Sequence, residues 1–135
     1  MKTVKKKIVS GMITFGILSL TSITAFAATE PLTYTSYALP TFKGNNYTGS
    51  HQKQTADEFI TNKVTDITGT STATFWAANG IKEQISNDYD QKKNNVSKIQ
   101  FRNSVSKGGD VIMGMQNANL NILDSGFVSG EVDFR

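Results

Sequence analysis

An antiparallel β-sandwich of six or seven short strands is the fold this 135-residue sequence predicts, with a small β-barrel as the alternative. Three observations lead there. Beyond residue 27, Thr, Ser, Asn, Gly, Val, Ile and Phe dominate, with few Leu and little Ala, a composition that suits half-buried pleated surfaces and turns. Apolar residues recur with period two. Gly-, Asn- and Asp-containing turn signals separate these runs at short intervals, as in sandwiches of about 100 residues.

The chain opens differently. Lys2, Lys5, Lys6 and Lys7 precede an apolar stretch from Ile8 to Ile23, and Ala25-Phe26-Ala27 supplies a small-x-small cleavage signal. This is the pattern of a secretory signal peptide removed near Ala27, and it predicts a secreted, extracellular product. Ser10, Gly11, Thr14, Gly16 and Ser19 interrupt the apolar stretch, which is shorter than the roughly 20 residues a membrane span needs. No later segment is apolar enough to span, so no membrane anchor is expected after signal removal.

The charge follows from this division. The whole chain has 14 Lys plus Arg and 11 Asp plus Glu, a net +3. Four of the basic residues lie in the leader and every acid lies after it, leaving 10 against 11, or −1, from Ala28 onward. Without a basic stripe to track phosphates, no nucleic-acid partner is expected. Cysteine is absent, which excludes disulfides and a lipidated N-terminal cysteine. Leader charge and cysteine usage together point to a Gram-positive exported protein.

Residues 28–40 read as a flexible lead-in and residues 41–135 as one β domain. Lys43 to Gln54 reads as a long loop or irregular edge, and Thr55 with Glu58 suggests a capped helical turn over Ala56 to Ile60. Ile60 and Val64 alternate with Phe59, Thr61, Lys63 and Thr65, and Ile67 closes that run. Thr72 to Ala77 is two-sided, with Phe75 expected in the core and Trp76 partly covered, because strand neighbours face opposite ways. Asn79-Gly80 suggests a tight turn, and Asn87 to Asn95 an exposed loop. Ile99 and Phe101 alternate with Lys98, Gln100 and Arg102. Lys107-Gly108-Gly109-Asp110 then suggests a hairpin joining residues 97–106 to 111–118. Asp124-Ser125-Gly126 reads as another turn, and Val132 and Phe134 face away from Glu131, Asp133 and Arg135. The expected core is Ile60, Val64, Ile67, Phe75, Ile99, Phe101, Val111, Met113, Met115, Val128, Val132 and Phe134.

Chemistry-bearing residues are sparse. His51 is the sole histidine, set in the polar stretch Gly49-Ser50-His51-Gln52-Lys53, and reads as an exposed loop residue. One histidine and no cysteine disfavour zinc. Asp88 and Asp90 are two apart in a loop and are weighed as calcium ligands, but the Gly and closing Glu of an EF-hand loop are missing. Asp57, Glu58, Asp66, Asp88, Asp90, Asp110, Glu131 and Asp133 are weighed as sources of a glycosidase pair, Glu131 and Asp133 lying on an ordinary solvated strand face. No catalytic, metal or cofactor-binding residue is assigned, and no cofactor is expected. The aromatics offer another route. Tyr34, Tyr37, Tyr47 and Trp76 are the candidate ligand contacts, since exposed rings stack on sugars while amides bond their hydroxyls.

Thr72-Ala73-Thr74-Phe75-Trp76-Ala77, Gly114-Met115-Gln116-Asn117 and Val128-Ser129-Gly130-Glu131-Val132-Asp133-Phe134 carry a resemblance over about residues 40–135. The chain resembles an uncharacterised family of small exported β-rich proteins of Gram-positive bacteria. That family has no assigned active site, so the resemblance implies no catalytic residue. In size and architecture the chain is also similar to the lactococcin-type bacteriocins, exported cysteine-free β-sandwiches acting at cell-wall synthesis. It departs from their Gly- and Tyr/His-rich composition. The expected function is therefore a non-enzymatic secreted binding or interaction module, with cell-wall glycan or a lipid-linked precursor as partner. A bacteriocin-like antimicrobial protein is the alternative, and a wall-glycan hydrolase the third reading.

Overall fold

The computed structural model describes residues 30–120 and 123–135, so the expected signal peptide and its expected cleavage point lie outside the described residues. Among the described residues, nine strands form two antiparallel sheets packed face to face. In chain order they are β1 (Leu32–Leu39), β2 (Asn46–Tyr47), β3 (His51–Gln52), β4 (Phe59–Thr68), β5 (Ala73–Asn79), β6 (Tyr89–Gln91), β7 (Val96–Gln100), β8 (Asp110–Asn117) and β9 (Gly126–Asp133). One sheet runs β1-β9-β4-β7; the other runs β2-β8-β5-β6, with β3 also pairing β8. Among the described residues the sheets stay separate, so the fold is the sandwich and not the barrel.

Period-two patterning explains the strands. Val128 and Val132 on β9, Ile60 and Val64 on β4, and Val111, Met113 and Met115 on β8 all turn inward. Every residue of the expected core lies in the main cluster or, for Ile67, packs against it. Tyr34, Leu39, Ala73, Ala77 and Ile85 complete that cluster. β5 is buried on both faces: Phe75 enters the main core, while Trp76 forms a second cluster with Ala78 and Ile112 under Tyr47. Small neighbours at positions 73, 77 and 78 make room for two large rings on one strand.

Local expectations fare less well. Residues 32–39 of the supposed lead-in form β1, because Tyr34, Tyr37 and Leu39 supply an inward face and β9 supplies a hydrogen-bonding edge. The spacing of Tyr34 and Tyr37 hides the strand, since three residues should put them on opposite faces. A bulge between them restores the phase, with Ser36 at a left-handed φ of 52°. The same device lies between Val64 and Asp66, which is why Ile67 faces inward.

The expected hairpin between residues 97–106 and 111–118 does not form. β7 pairs β4 in one sheet and β8 pairs β5 in the other, so residues 101–109 cross between layers. The Gly108-Gly109 turn instead docks on Lys53: Gly108 N–H donates to the Lys53 carbonyl at 2.8 Å, and Lys53 N–H to the Gly109 carbonyl at 3.0 Å. The Asn87 to Asn95 loop contains β6, the Lys43 to Gln54 loop contains β2 and β3, and Ala56 to Ile60 holds no helical turn. Asn79-Gly80 does turn, with Lys82 N–H bonding the Asn79 carbonyl at 2.9 Å. Asp124 and Ser125 lead directly into β9, which begins at Gly126.

Two polar features are built into the interior. The Tyr34 hydroxyl donates to Asn62 Oδ1 at 2.9 Å, and Asn62 Nδ2 donates to Gln91 Oε1 at 2.8 Å. Gln91 Nε2 donates in turn to the Asn62 and Asn95 carbonyls. This chain joins β1, β4 and β6 across both sheets, and satisfied polar groups of this kind are what a buried network requires. Lys53 is also buried, its ammonium donating to the Asp57 carbonyl and lying 5.1 Å from the Phe101 ring centroid. Among the described residues no helix is long and apolar enough to cross a membrane.

Candidate binding cleft between the sheets

The sandwich opens along one side, where β1 borders one sheet and β2 and β3 border the other. A cleft of about 340 Å³ lies there, walled by Leu32, Tyr34 and Tyr37 from β1, Thr48, Gly49 and His51 from the opposing edge, and Val132 and Phe134 from the chain end. Each wall follows from strand phase. The β1 bulge turns Tyr37 to the same side as Tyr34, and their rings meet edge to face at 5.8 Å. Thr48 interrupts the edge strand between β2 and β3, and its hydroxyl accepts from Met113 N–H at 3.0 Å, which anchors that lip.

His51 is not the exposed loop residue its polar neighbours suggested. It lies in β3, opposite Val111, half-buried with its ring stacked on Phe134 at 4.4 Å. A second hollow of about 250 Å³ adjoins the cleft, sharing Leu32, His51 and Phe134 and adding the polar groups of Glu30, Gln52, Gln54, Asp133 and Arg135. The composite site thus has an aromatic floor and a polar mouth. Burial drives the Tyr34 phenol well above its ordinary pKa, so its hydroxyl stays protonated and available to Asn62.

The four aromatics singled out from sequence divide into two pairs. Tyr34 and Tyr37 meet in the cleft. Tyr47 and Trp76 meet edge to face at 5.9 Å on the outer face of the other sheet, with the Lys82 ammonium 4.9 Å from the Tyr47 centroid. Trp76 is 5% exposed, so its ring face is filled from within and does not stand ready for a sugar. Leu32, Thr48, His51 and Phe134 were missed as site residues. Phe134 was legible as inward-facing, but nothing local places His51 upon it.

The carboxylates disperse. Asp57 and Asp133 both bond Arg135, at 3.4 and 3.0 Å. Glu131 pairs with Lys63 at 3.6 Å, Asp66 with Lys93 at 2.8 Å, and Glu58 bonds the Ser104 hydroxyl. Asp88 and Asp90 take separate partners: Asp88 accepts from Gln84 Nε2 at 2.8 Å, and Asp90 from the Thr74 hydroxyl at 2.6 Å. Among the described residues no three His, Asp or Glu side chains converge as metal ligands.

No family model matches the chain, and no curated protein matches it. Among solved structures it is similar to one described as "Crystal structure of PirA". The two share 8% sequence identity over 76% of this chain and 93% of that one, with a TM-score of 0.45.

Proposed function

We propose that the protein is a secreted, non-enzymatic binding module that acts at the cell envelope or in the extracellular medium, its ligand seated in the cleft between the sheets. The observation that supports this reading is the cleft's lining: Leu32, Tyr37 and the His51 ring, backed by the buried Phe134, offer apolar and ring surface, with hydroxyls and amides at the rim. Binding sites for small ligands have this make-up, a mostly apolar concavity with a few polar groups to fix orientation. Wall glycan, with ring faces and many hydroxyls, and a lipid-linked wall precursor, with sugars joined to an apolar chain, both suit such a lining.

Titration of the purified protein with soluble wall fragments and with lipid-linked precursor in detergent, followed by amide NMR shifts, tests it. Binding is expected to move resonances of Tyr37, Thr48, Gly49 and His51, and Tyr37→Ala to weaken it about tenfold, the effect of losing about 1.4 kcal/mol of contact. No shift at the cleft with either ligand overturns the reading.

A further inference from the structure

On the opposite face of the β1-β9-β4 ribbon, β9 is flanked by irregularities on both sides at one level. Tyr34 pairs with Gly130 and Tyr37 with Val128, so β1 carries one extra residue there. Val64 pairs with Gly130 and Asp66 with Ser129, so β4 carries one as well. Bulges bend a strand and re-aim its side chains. Here they bring Ser36, Asp66, Thr68, Phe127 and Ser129 around a depression of about 320 Å³. Ser36 N–H donates to the Ser129 hydroxyl at 2.9 Å, fixing the floor, while Ser36 itself holds the left-handed backbone noted above. A non-glycine residue in that region is a strained one, and such residues gather at ligand sites.

The lining has a distinct chemistry. Phe127 sits at the register between Ala38 and Thr68 and is 46% exposed, a large ring left open to solvent on a sheet face. Three hydroxyls beside it can each donate and accept, and the Asp66 carboxylate accepts only. Lys93 bonds Asp66 at 2.8 Å and holds its carboxyl below the usual range, so it remains an acceptor at neutral pH. A purely apolar ligand would cover these hydroxyls without satisfying them, which is unfavourable. The Asp66–Lys93 pair carries no net charge, so nothing at the rim favours a charged ligand. A neutral sugar meets both demands: its C–H face packs on the ring, and its hydroxyls pair with the serines, the threonine and the carboxylate.

We propose that the Phe127 depression, between the two bulges, is a binding subsite for a neutral pyranose. It is separate from the cleft and does not depend on the function proposed there. Amide NMR titration of the purified protein with chitotriose and with maltotriose tests it. At least one sugar is expected to shift Thr68, Phe127 and Ser129. Phe127→Ala and, as a milder change that keeps apolar bulk without the ring, Phe127→Leu are expected to weaken binding about tenfold. The proposal is overturned if neither sugar moves these resonances, if the shifts are confined to the cleft, or if a folded Phe127 variant binds as tightly as the parent.

Discussion

The indole of Trp76 lies across Gly114, its cross-strand partner on β8, in the space a side chain at that position would occupy. A Cβ on Gly114 would stand 2.5 Å from Trp76 Cζ2 and closer still to Cε2 and Nε1. Tyr47 pairs with the same glycine from β2, so one bare backbone position seats two aromatic rings edge to face.

Gly114→Ala is therefore expected to destabilise the fold by about 1–3 kcal/mol, the usual effect of overpacking. Guanidinium unfolding would show a lowered midpoint. Trp76 emission, blue in the parent because the ring is buried, is expected to shift to the red as the indole is displaced. A variant of parental stability and emission would refute the relationship.

Tyr34→Phe removes the hydroxyl that Asn62 Oδ1 accepts and is expected to cost about 1–3 kcal/mol, the penalty for an orphaned buried acceptor. The same substitution carries a pH signature. Below about pH 10 the phenol is neutral in both states and adds no pH dependence. Above that, the unfolded phenol ionises while the folded one, its pKa raised by burial, does not, so the folded state binds more protons and stability falls as pH rises. The alkaline decline in unfolding free energy should be shallower in Tyr34→Phe, which has no such group. Equal slopes would remove the argument.

Lys53 titrates in the opposite sense. Burial lowers its pKa, against the opposing charges of Asp57, Glu58 and Asp133. In the window just below the ordinary lysine pKa the unfolded state therefore binds more protons, and stability rises with pH there. Lys53→Met keeps the stem but removes the donor to the Asp57 carbonyl. It should cost on the order of 1.5–3 kcal/mol, as for a hydrogen bond from a charged group, and abolish that rise. Urea denaturation in steps from pH 8 to 10.5 checks both.

His51→Ala removes the ring stacked on Phe134 and should cost about 0.5–1.5 kcal/mol beyond lost area, as for other ring pairs. Resonances of Phe134 and Leu32 are expected to move, while those around Trp76, in the other cluster, stay in place. A change spread evenly over both clusters would contradict the separation of the two aromatic pairs.

How much of this was legible differs by scale. The two-sheet, all-β architecture and the inward positions could be read from alternation, because side-chain direction along a strand is a local property. β1 could not, since its bulge breaks the alternation of Tyr34 and Tyr37 and the strand exists through its pairing with β9. Nor could the fate of Lys107 to Asp110, where two adjacent glycines suit a hairpin but the flanking strands have better partners in β4 and β5. Of the cleft, Tyr34 and Tyr37 were nominated from sequence and are brought together; Tyr47 and Trp76 were nominated with them and lie elsewhere.

Local pattern alone was enough to place the inward residues of β4, β7, β8 and β9, to part Phe75 from Trp76, and to show that the segment after residue 27 is close to electrically neutral. Those are properties of a residue and its immediate neighbours. Long-range packing set which strands share a sheet, brought His51 and Phe134 into contact in the cleft, and placed two bulges beside Ser129. Hydrogen-bonding edges are alike from strand to strand. Their pairing is settled by burial summed over both sheets, so residues as distant as His51 and Phe134 become neighbours with no trace of it in local pattern.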